Sequence, residues 1–201
     1  MKTKKANKID MAKTYLEIGD YFIEREMYQS AVKIITKAIE LKPDIGVFYE
    51  RRGLAYGYIR EYEDAIIDFM IAIKINPTCA GTFNNLALAH YKLWRFDEAI
   101  KYYDKAIKLD PDVSIFYSNR GVAFYNIGQC KKAIADYNKA IKLKPENTEV
   151  YTYRGEALAD LGKIGEALAD FDKALALDPC DIHAYVGRVL VVNQFVSPNE
   201  K

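Results

Sequence analysis

Apolar and polar side chains alternate along this chain with the three- and four-residue spacing that gathers apolar groups on one face of an α-helix. The segment 114–147 shows the pattern clearly. Its first half carries apolar and aromatic residues from Phe116 to Phe124, and its second half does so from Ala133 to Ile141. The segment is therefore predicted to form two amphipathic helices joined by a short turn.

The same pattern recurs through the chain and predicts five helical pairs followed by a single helix. The predicted boundaries are 10–25 and 28–42, 46–59 and 62–76, 80–93 and 96–110, 114–127 and 131–144, 148–161 and 165–178, and 182–195. No low-complexity linker divides the series, which favours one array over residues 1–201. The end of the chain, VSPNEK at 196–201, is predicted to be a disordered tail.

Five of the six prolines are spaced by 34 residues, and small residues share this period. The prolines are Pro43, Pro77, Pro111, Pro145 and Pro179, and the small residues are Gly19, Gly53, Ala87, Gly121 and Gly155. A fixed period of this length is typical of stacked-repeat proteins. Proline ends the second helix of each unit, and the small residues are predicted to lie where two helices approach closely.

Alanine and large apolar residues occupy further positions with the same period. The alanines are Ala31, Ala65, Ala99, Ala133 and Ala167, and Ala38, Ala72, Ala106, Ala140 and Ala174. The large residues are Ile35, Phe69, Tyr103, Tyr137 and Phe171, and Tyr15, Tyr49, Phe83, Tyr117, Tyr151 and Tyr185. These positions are predicted to form a core that neighbouring repeats share.

Together these landmarks resemble the tetratricopeptide repeat (TPR) family, whose consensus has an aromatic residue, Gly, Tyr, Ala, Phe, Ala and Pro at matching offsets. The resemblance covers five repeats, at 12–45, 46–79, 80–113, 114–147 and 148–181, with a partial sixth repeat or capping helix at 182–195. It implies an all-α fold, a right-handed superhelical solenoid of stacked helix-turn-helix units. The third repeat departs from the consensus at Ala87 and His90.

Composition limits the possible partners and compartment. A formal net charge of +1 gives no bulk attraction to nucleic acid or acidic lipid. The cysteines Cys79, Cys130 and Cys180 lack metal-ligand spacing and favour a reducing compartment. No apolar run is long enough for a membrane span, and none follows the basic start as a secretory signal requires. We therefore expect a cytoplasmic protein that binds neither nucleic acid nor membranes.

Catalytic chemistry is not indicated. His90 stands where other repeats have Phe22, Tyr56 or Phe124, so a buried core histidine is favoured over a ligand or base. His183 has no carboxylates or cysteines at metal-ligand spacing nearby, and no phosphate-binding loop or nucleophile motif occurs. The sequence predicts a protein that is not an enzyme and uses no cofactor or metal.

In the TPR family the first helices of successive repeats line a concave groove that holds a peptide or helix of a partner protein. The resemblance therefore implies a non-catalytic scaffold for protein–protein interaction. The groove candidates are Glu50, Leu54, Tyr58, Asn84, Leu88, Tyr91, Ser118, Val122, Tyr125 and Asn126. Their tyrosines and aliphatic residues are suited to be binding anchors, although the tyrosines could instead only pack adjacent first helices.

The two ends of the implied groove are acidic. The residues are Asp20, Glu24 and Glu50 at one end, and Glu149, Glu156 and Asp160 at the other. Some TPR proteins clamp a C-terminal carboxylate with a set of Lys, Asn and Arg residues on three successive first helices. No register of this sequence supplies the complete set, so no such clamp is expected. The acidic groove also disfavours RNA binding.

The segment 182–195 offers an alternative function. It is apolar most of the way round, whereas the end helix of a soluble array usually has a polar outer face. Val189, Leu190, Val191, Val192 and Phe195 cannot all face the fifth repeat, so an exposed patch is predicted. Such a patch would support self-association into a homodimer.

Comparison of the repeats predicts three ion pairs. Arginine appears at the seventh offset of repeats two, four and five, and in those repeats alone Asp follows sixteen residues later. The predicted pairs are Arg52–Asp68, Arg120–Asp136 and Arg154–Asp170, each joining the two helices of one repeat. Arg188 has the same offset in the last helix without a matching Asp, so it is predicted to be exposed or bound elsewhere.

Overall fold

The computed structural model describes the backbone of residues 2–196 and the side chains of residues 8–194. This part of the chain forms eleven α-helices and a closing π-helical turn. They are α1 (Lys2–Glu24), α2 (Tyr28–Leu41), α3 (Gly46–Tyr58), α4 (Tyr62–Ile75), α5 (Ala80–Lys92), α6 (Phe96–Leu109), α7 (Ser114–Asn126), α8 (Cys130–Leu143), α9 (Thr148–Asp160), α10 (Ile164–Leu177), α11 (Ile182–Val191) and the turn Val192–Val196.

The all-α prediction is confirmed, and α2 to α10 lie within one residue of their predicted ends. The first helix begins at Lys2 rather than at residue 10, because residues 2–9 hold no Pro or Gly and are rich in helix-forming Lys. The last helix ends at Val191 rather than at residue 195, among β-branched valines that are restricted in a helix. The predicted disorder beyond Val196 lies outside the described residues.

The chain divides into two compact units. Unit 1 is Met1–Leu109 and holds α1 to α6, and unit 2 is Asp110–Lys201 and holds α7 to α11. Within each unit the two helices of a repeat pack against each other, and the second helix also packs against the first helix of the next repeat. Each unit is thus a stack of helix pairs. The single array over residues 1–201 stays a prediction.

The periodic small residues allow the two helices of a repeat to touch. A Cβ atom built on Gly53 would lie 2.8 Å from the Phe69 ring, and one on Gly121 would lie 2.6 Å from the Tyr137 ring. Real Cβ atoms do not approach a ring so closely, so any larger residue would force the helices apart. The aromatic rings opposite these glycines are almost fully buried and form the core of each repeat.

One residue in the turn between the two helices of every repeat has a left-handed backbone. These residues are Glu26 (φ 58°), Arg60 (φ 66°), Trp94 (φ 59°), Gly128 (φ 72°) and Gly162 (φ 73°). They keep the 34-residue spacing, although the first three are not glycine. The turn geometry is therefore imposed by the packing of the helix pair and not by the residue type.

The three predicted ion pairs are confirmed. In each of them the arginine Nε and Nη2 atoms donate to the two oxygens of one carboxylate, at N–O distances of 2.6–2.8 Å. The aspartates Asp68, Asp136 and Asp170 are buried. Burial raises the pKa of Asp68 more than the hydrogen bonds and charge of Arg52 lower it. The loss of water around this carboxylate therefore costs free energy that the ion pair only partly offsets.

Arg52 and Arg154 also bind the preceding repeat, which the sequence reasoning missed. Arg52 Nη1 donates to Thr36 Oγ1 at 3.0 Å, and Arg154 Nη1 donates to Asn138 Oδ1 at 2.6 Å. Arg188, predicted to be exposed or bound elsewhere, is partly exposed and donates from Nε to Asp172 Oδ1 at 2.5 Å. Each partner precedes its arginine by sixteen residues, so these bonds join consecutive repeats within a unit.

Candidate functional site

An open, mostly apolar pocket of about 290 Å³ lies in unit 1 between α3, α4 and α5. Three of the predicted groove residues, Leu54, Tyr58 and Leu88, line it. Tyr58 is 58% exposed and Leu88 is 37% exposed, whereas Phe69 beside them belongs to the buried core. The pocket therefore brings together the aliphatic and tyrosine side chains that were predicted as anchors for this part of the chain.

The pocket exists because one glycine of α3 faces no neighbour. Gly53 and Gly57 are one helical turn apart and both line the pocket. A Cβ atom on Gly53 would strike Phe69, whereas a Cβ atom on Gly57 would meet nothing within 4 Å. Gly53 is thus required for packing, and Gly57 leaves space that packing does not use.

The wall and rim of the pocket have distinct chemistry. The Tyr58 ring stacks on Tyr28 of α2 with centroids 4.5 Å apart and an interplanar angle of 14°, which fixes its orientation. Asn85 and Lys92 of α5 supply an amide and an ammonium group to the lining. A ligand here would meet a rigid aromatic wall, apolar contacts and a positive charge.

Two other predicted residues of unit 1 lie outside this pocket. Tyr91 is half-buried, and its ring packs against Phe96 with centroids 5.5 Å apart. Glu50 is half-buried on α3 and does not line the pocket. Tyr91 therefore packs against the second helix of its own repeat, and its role as a binding anchor stays a prediction.

The structure does not present Asn84 and Ser118 as open groove positions. Asn84 is only 9% exposed, and Ser118 only 4%. Thr152, at the same offset of the fifth repeat, is also buried. Burial of these polar side chains leaves little of their surface for contact with a ligand.

Unit 2 contains a larger cavity of about 720 Å³, lined by Tyr125 of α7, by α9 and by α11. Glu156 and Asp160 of α9, predicted as an acidic end of the groove, both line it. Burial, helped by Asp160 and Asp181, raises the pKa of Glu156 against the opposing effect of His183. Burial and the neighbouring Asp160 also raise the pKa of Tyr125.

The remaining predicted residues of unit 2 are outside this cavity. Asn126 is exposed, and its Nδ2 atom donates to the carbonyl oxygen of Val122 at 2.8 Å. Val122 is half-buried on α7. Of the four predicted residues in this unit, only Tyr125 lines the cavity.

His90 is a buried core residue, as predicted. It is 8% exposed, and its ring stacks on Tyr102 with centroids 5.2 Å apart. Neither ring nitrogen has a hydrogen-bond partner among the described residues, and burial together with Arg95 lowers its pKa. The described residues contain no group of His, Cys, Asp and Glu side chains that could hold a metal ion.

Sequence reasoning missed two parts of these cavities. Asn85 and Tyr62 lie at offsets that were not assigned to the groove, yet both line the pocket of unit 1. The α11 residues that line the cavity of unit 2 were predicted only as an end patch. Their signal in the sequence was the run of apolar residues at four-residue spacing in 182–190.

The exposed face of α11 is apolar, as predicted, but the residues that form it differ in part from those predicted. Ile182, Tyr185, Val186 and Leu190 are exposed, whereas Val191 is buried. Val189 and Val192 are partly exposed, and the side chain of Phe195 lies outside the described residues. Among the described residues, none of the helices combines the length and hydropathy needed to cross a membrane.

Comparison with solved structures shows the same fold in several proteins. A crystal structure of MamA protein matches with 25% identity and a TM-score of 0.76, covering 85% of this chain and 93% of MamA. PilF of Pseudomonas aeruginosa matches with 17% identity and a TM-score of 0.83, covering 94% and 86%. The TPR domain of Arabidopsis OM64 is 31% identical with a TM-score of 0.56, covering 57% and 94%.

Models of the tetratricopeptide repeat family match most of the chain. The matched residues are 12–45 and 47–79, 80–113, 123–162 and 148–179. They include most of the periodic glycine, alanine, aromatic and proline positions, among them Gly53, Phe69 and Tyr137. The helix pairs of both units and these matches together show that the chain is a member of the tetratricopeptide repeat family.

Proposed function

We propose that this protein is a non-catalytic scaffold that binds a peptide or helix of a partner protein on the first-helix faces of its repeats. TPR domains generally act as protein-interaction modules. The observation that carries the proposal is the pocket of unit 1, which is open and apolar and which the packing of the repeats does not require. Binding anchors are typically large side chains that fill such pockets.

The pocket favours one large apolar side chain of the partner as its anchor. Leu54, Leu88 and the fixed Tyr58 ring would bury that side chain, and Lys92 would attract an acidic group beside it. The free thiols of Cys79 and Cys130 fit our further proposal that the protein works in a reducing compartment, the cytoplasm.

The test uses a variant, Gly57→Leu, whose new side chain fills the pocket and leaves the buried core unchanged. A library of displayed peptides is selected on the wild-type protein, and the affinity of the selected peptides is measured by fluorescence anisotropy. Gly57→Leu should weaken binding by about 2 kcal/mol or more, because the new side chain occupies the anchor's place. Gly165→Leu is the matched control, since Gly165 is an exposed helical glycine of α10 with equally open surroundings.

The proposal fails if the selected peptides bind Gly57→Leu as tightly as they bind the wild type. Circular dichroism separates this result from misfolding, because both variants should keep the helical content of the wild type. Tyr58→Ala provides a second check, and it should also weaken binding if the ring forms the pocket wall.

Self-association through α11 is the second candidate function, and one feature favours it. Tyr185 is 62% exposed, although Tyr151 and Tyr117, at the same repeat position, are buried. A second copy could cover Tyr185, Val189 and Val192 in the same way. Sedimentation equilibrium should then show a dimer that Tyr185→Glu disrupts. A wild-type protein that stays monomeric at high concentration would exclude this function.

A further inference from the structure

We propose that the cavity of unit 2 binds a basic amphipathic segment of a partner protein, in which Lys or Arg alternates with large aliphatic residues. The proposal rests on the scaffold function above and adds the chemistry of the segment that unit 2 accepts. The cavity has one apolar wall on α11 and one acidic wall on α9.

The apolar wall is a stripe on α11. Ile182, Val186 and Leu190 follow one another at four-residue spacing, so they lie on one face of the helix. All three line the cavity, and Leu190 is 60% exposed. An exposed apolar stripe inside a concave surface is typical of a surface that a partner covers.

The acidic wall lies on α9. Glu156 stands at the repeat position that holds Leu54, Leu88 and Val122 in the three preceding repeats, and Asp160 lies one turn further along. Glu156 is half-buried and forms no hydrogen bond or salt bridge with the described residues. A carboxylate that has lost solvent without gaining a partner is stabilised by a cation from a ligand.

The other charges around the cavity favour a cation over an anion. Among the described residues that line it there is no Lys or Arg, and the one group that could become positive is His183. Asp181 lies close enough to Glu156 to raise its pKa, which adds to the negative potential. In unit 1 the rim carries Lys92 instead, so the two sites should select segments of opposite charge.

The size of the cavity suits several side chains. Its volume of about 720 Å³ exceeds the pocket of unit 1 more than twofold and lies within the usual range of ligand sites. A segment that places aliphatic groups on the α11 stripe would place the alternating basic groups toward Glu156 and Asp160. Neither an acidic peptide nor a purely polar one satisfies both walls.

The first test compares three labelled synthetic peptides of equal length with the full chain by fluorescence anisotropy. One alternates Lys with Leu, the second alternates Glu with Leu, and the third alternates Lys with Ser. The Lys–Leu peptide should bind at least tenfold more tightly than either of the others, and its binding should weaken as salt rises. Equal binding of the Glu–Leu peptide would overturn the proposal.

The second test locates the bound peptide with matched variants. Glu156→Gln and Leu190→Ser should each weaken Lys–Leu binding by about fivefold or more. Glu146→Gln and Leu177→Ser, which alter an exposed carboxylate and an exposed leucine of unit 2 outside the cavity, should leave it unchanged. Unaltered affinity in both Glu156→Gln and Leu190→Ser would also overturn the proposal.

The pocket-filling variant separates this proposal from the scaffold function. Gly57→Leu should leave Lys–Leu binding intact, since Gly57 belongs to unit 1. If selected peptides lose affinity for Gly57→Leu while the Lys–Leu peptide never binds, the scaffold function stands and the assignment of unit 2 fails.

Discussion

The packing of each repeat imposes a left-handed backbone conformation on one turn residue, even where the residue type disfavours that conformation. Glu26, Arg60 and Trp94 occupy left-handed turn positions that Gly128 and Gly162 fill in the last two full repeats. Only glycine adopts this conformation without cost, and other residues lose about 1 kcal/mol there. This backbone conformation was not predictable from the sequence, because glycine, the usual signal for it, is missing in three of the five turns.

Arg60→Gly should therefore stabilise the protein by about 0.5 kcal/mol. The change relieves the backbone strain, but glycine also raises the conformational entropy of the unfolded chain, which offsets part of that gain. The reverse change, Gly128→Ala, should destabilise it by about 1 kcal/mol. Urea unfolding followed by circular dichroism measures both. A loss of stability in Arg60→Gly would mean that the arginine side chain outweighs the backbone strain.

His90 predicts how stability depends on pH. Its pKa lies below the ordinary value of 6.5, because burial and Arg95 disfavour the charged ring more than Glu98 favours it. As pH falls below 6.5, the unfolded chain binds a proton that the folded chain resists, so the free energy of unfolding decreases. The contribution of His90 to the free energy of unfolding is fully present above pH 6.5. It is lost progressively as the pH falls toward the pKa of His90 in the folded protein.

His90→Phe should remove this part of the pH dependence and raise stability at neutral pH by about 1 kcal/mol, since two unpartnered ring nitrogens leave the core. Phe fits because the same position holds Phe22 and Phe124 elsewhere. Urea unfolding between pH 5 and 8 tests it. An unchanged pH slope would show that other groups are responsible.

At the scale of helices, Arg52 and Arg154 each connect three helices by hydrogen bonds. Arg52 of α3 binds Asp68 of α4 and Thr36 of α2, and Arg154 of α9 binds Asp170 of α10 and Asn138 of α8. The third repeat has Leu86 and Tyr102 at the positions of Arg52 and Asp68. An apolar contact thus replaces the ion pair in a neighbouring copy of the same scaffold.

A double-mutant cycle on Arg52 and Asp68 tests this exchange. Arg52→Leu alone should cost about 3 kcal/mol, because it leaves the carboxylate buried without a partner. Arg52→Leu with Asp68→Tyr copies the third repeat and should cost clearly less than the sum of the single changes. Denaturant unfolding measures each variant, and strict additivity would contradict the coupling.

Much of the architecture at this scale was predictable from the sequence. Helix ends followed from the 34-residue period, and the three ion pairs followed from which repeats carry both residues. The second partners, such as Thr36 and Asn138, were missed because their residue types vary from repeat to repeat. The pocket beside Gly57 was not predicted. A glycine in the sequence does not show whether a neighbouring side chain fills the space beside it, as at Gly53, or whether that space stays empty, as at Gly57.

At the scale of the whole molecule, the two units contain different numbers of complete repeats. Among the described residues, unit 1 has three helix pairs, whereas unit 2 has two pairs followed by the single helix α11. A stack of repeats needs about three units before the shared core offsets the entropy of ordering the chain. The units should therefore differ in their ability to fold alone.

A fragment of residues 1–109 should fold cooperatively as a separate chain, and a fragment of residues 110–201 should be markedly less stable. The shared core of three stacked pairs explains the difference. Thermal unfolding of each fragment, followed by circular dichroism, gives the comparison. A shorter fragment than either, residues 1–79 with two pairs, serves as the control and should be less stable than 1–109.

Val189 of α11 stands at the position that is Gly53, Gly121 or Gly155 in other repeats. There the glycine accepts an aromatic ring from the second helix of its own repeat. A valine cannot accept such a ring without pushing the helix away. A further repeat of the usual kind could therefore be grafted onto α11 only together with Val189→Gly.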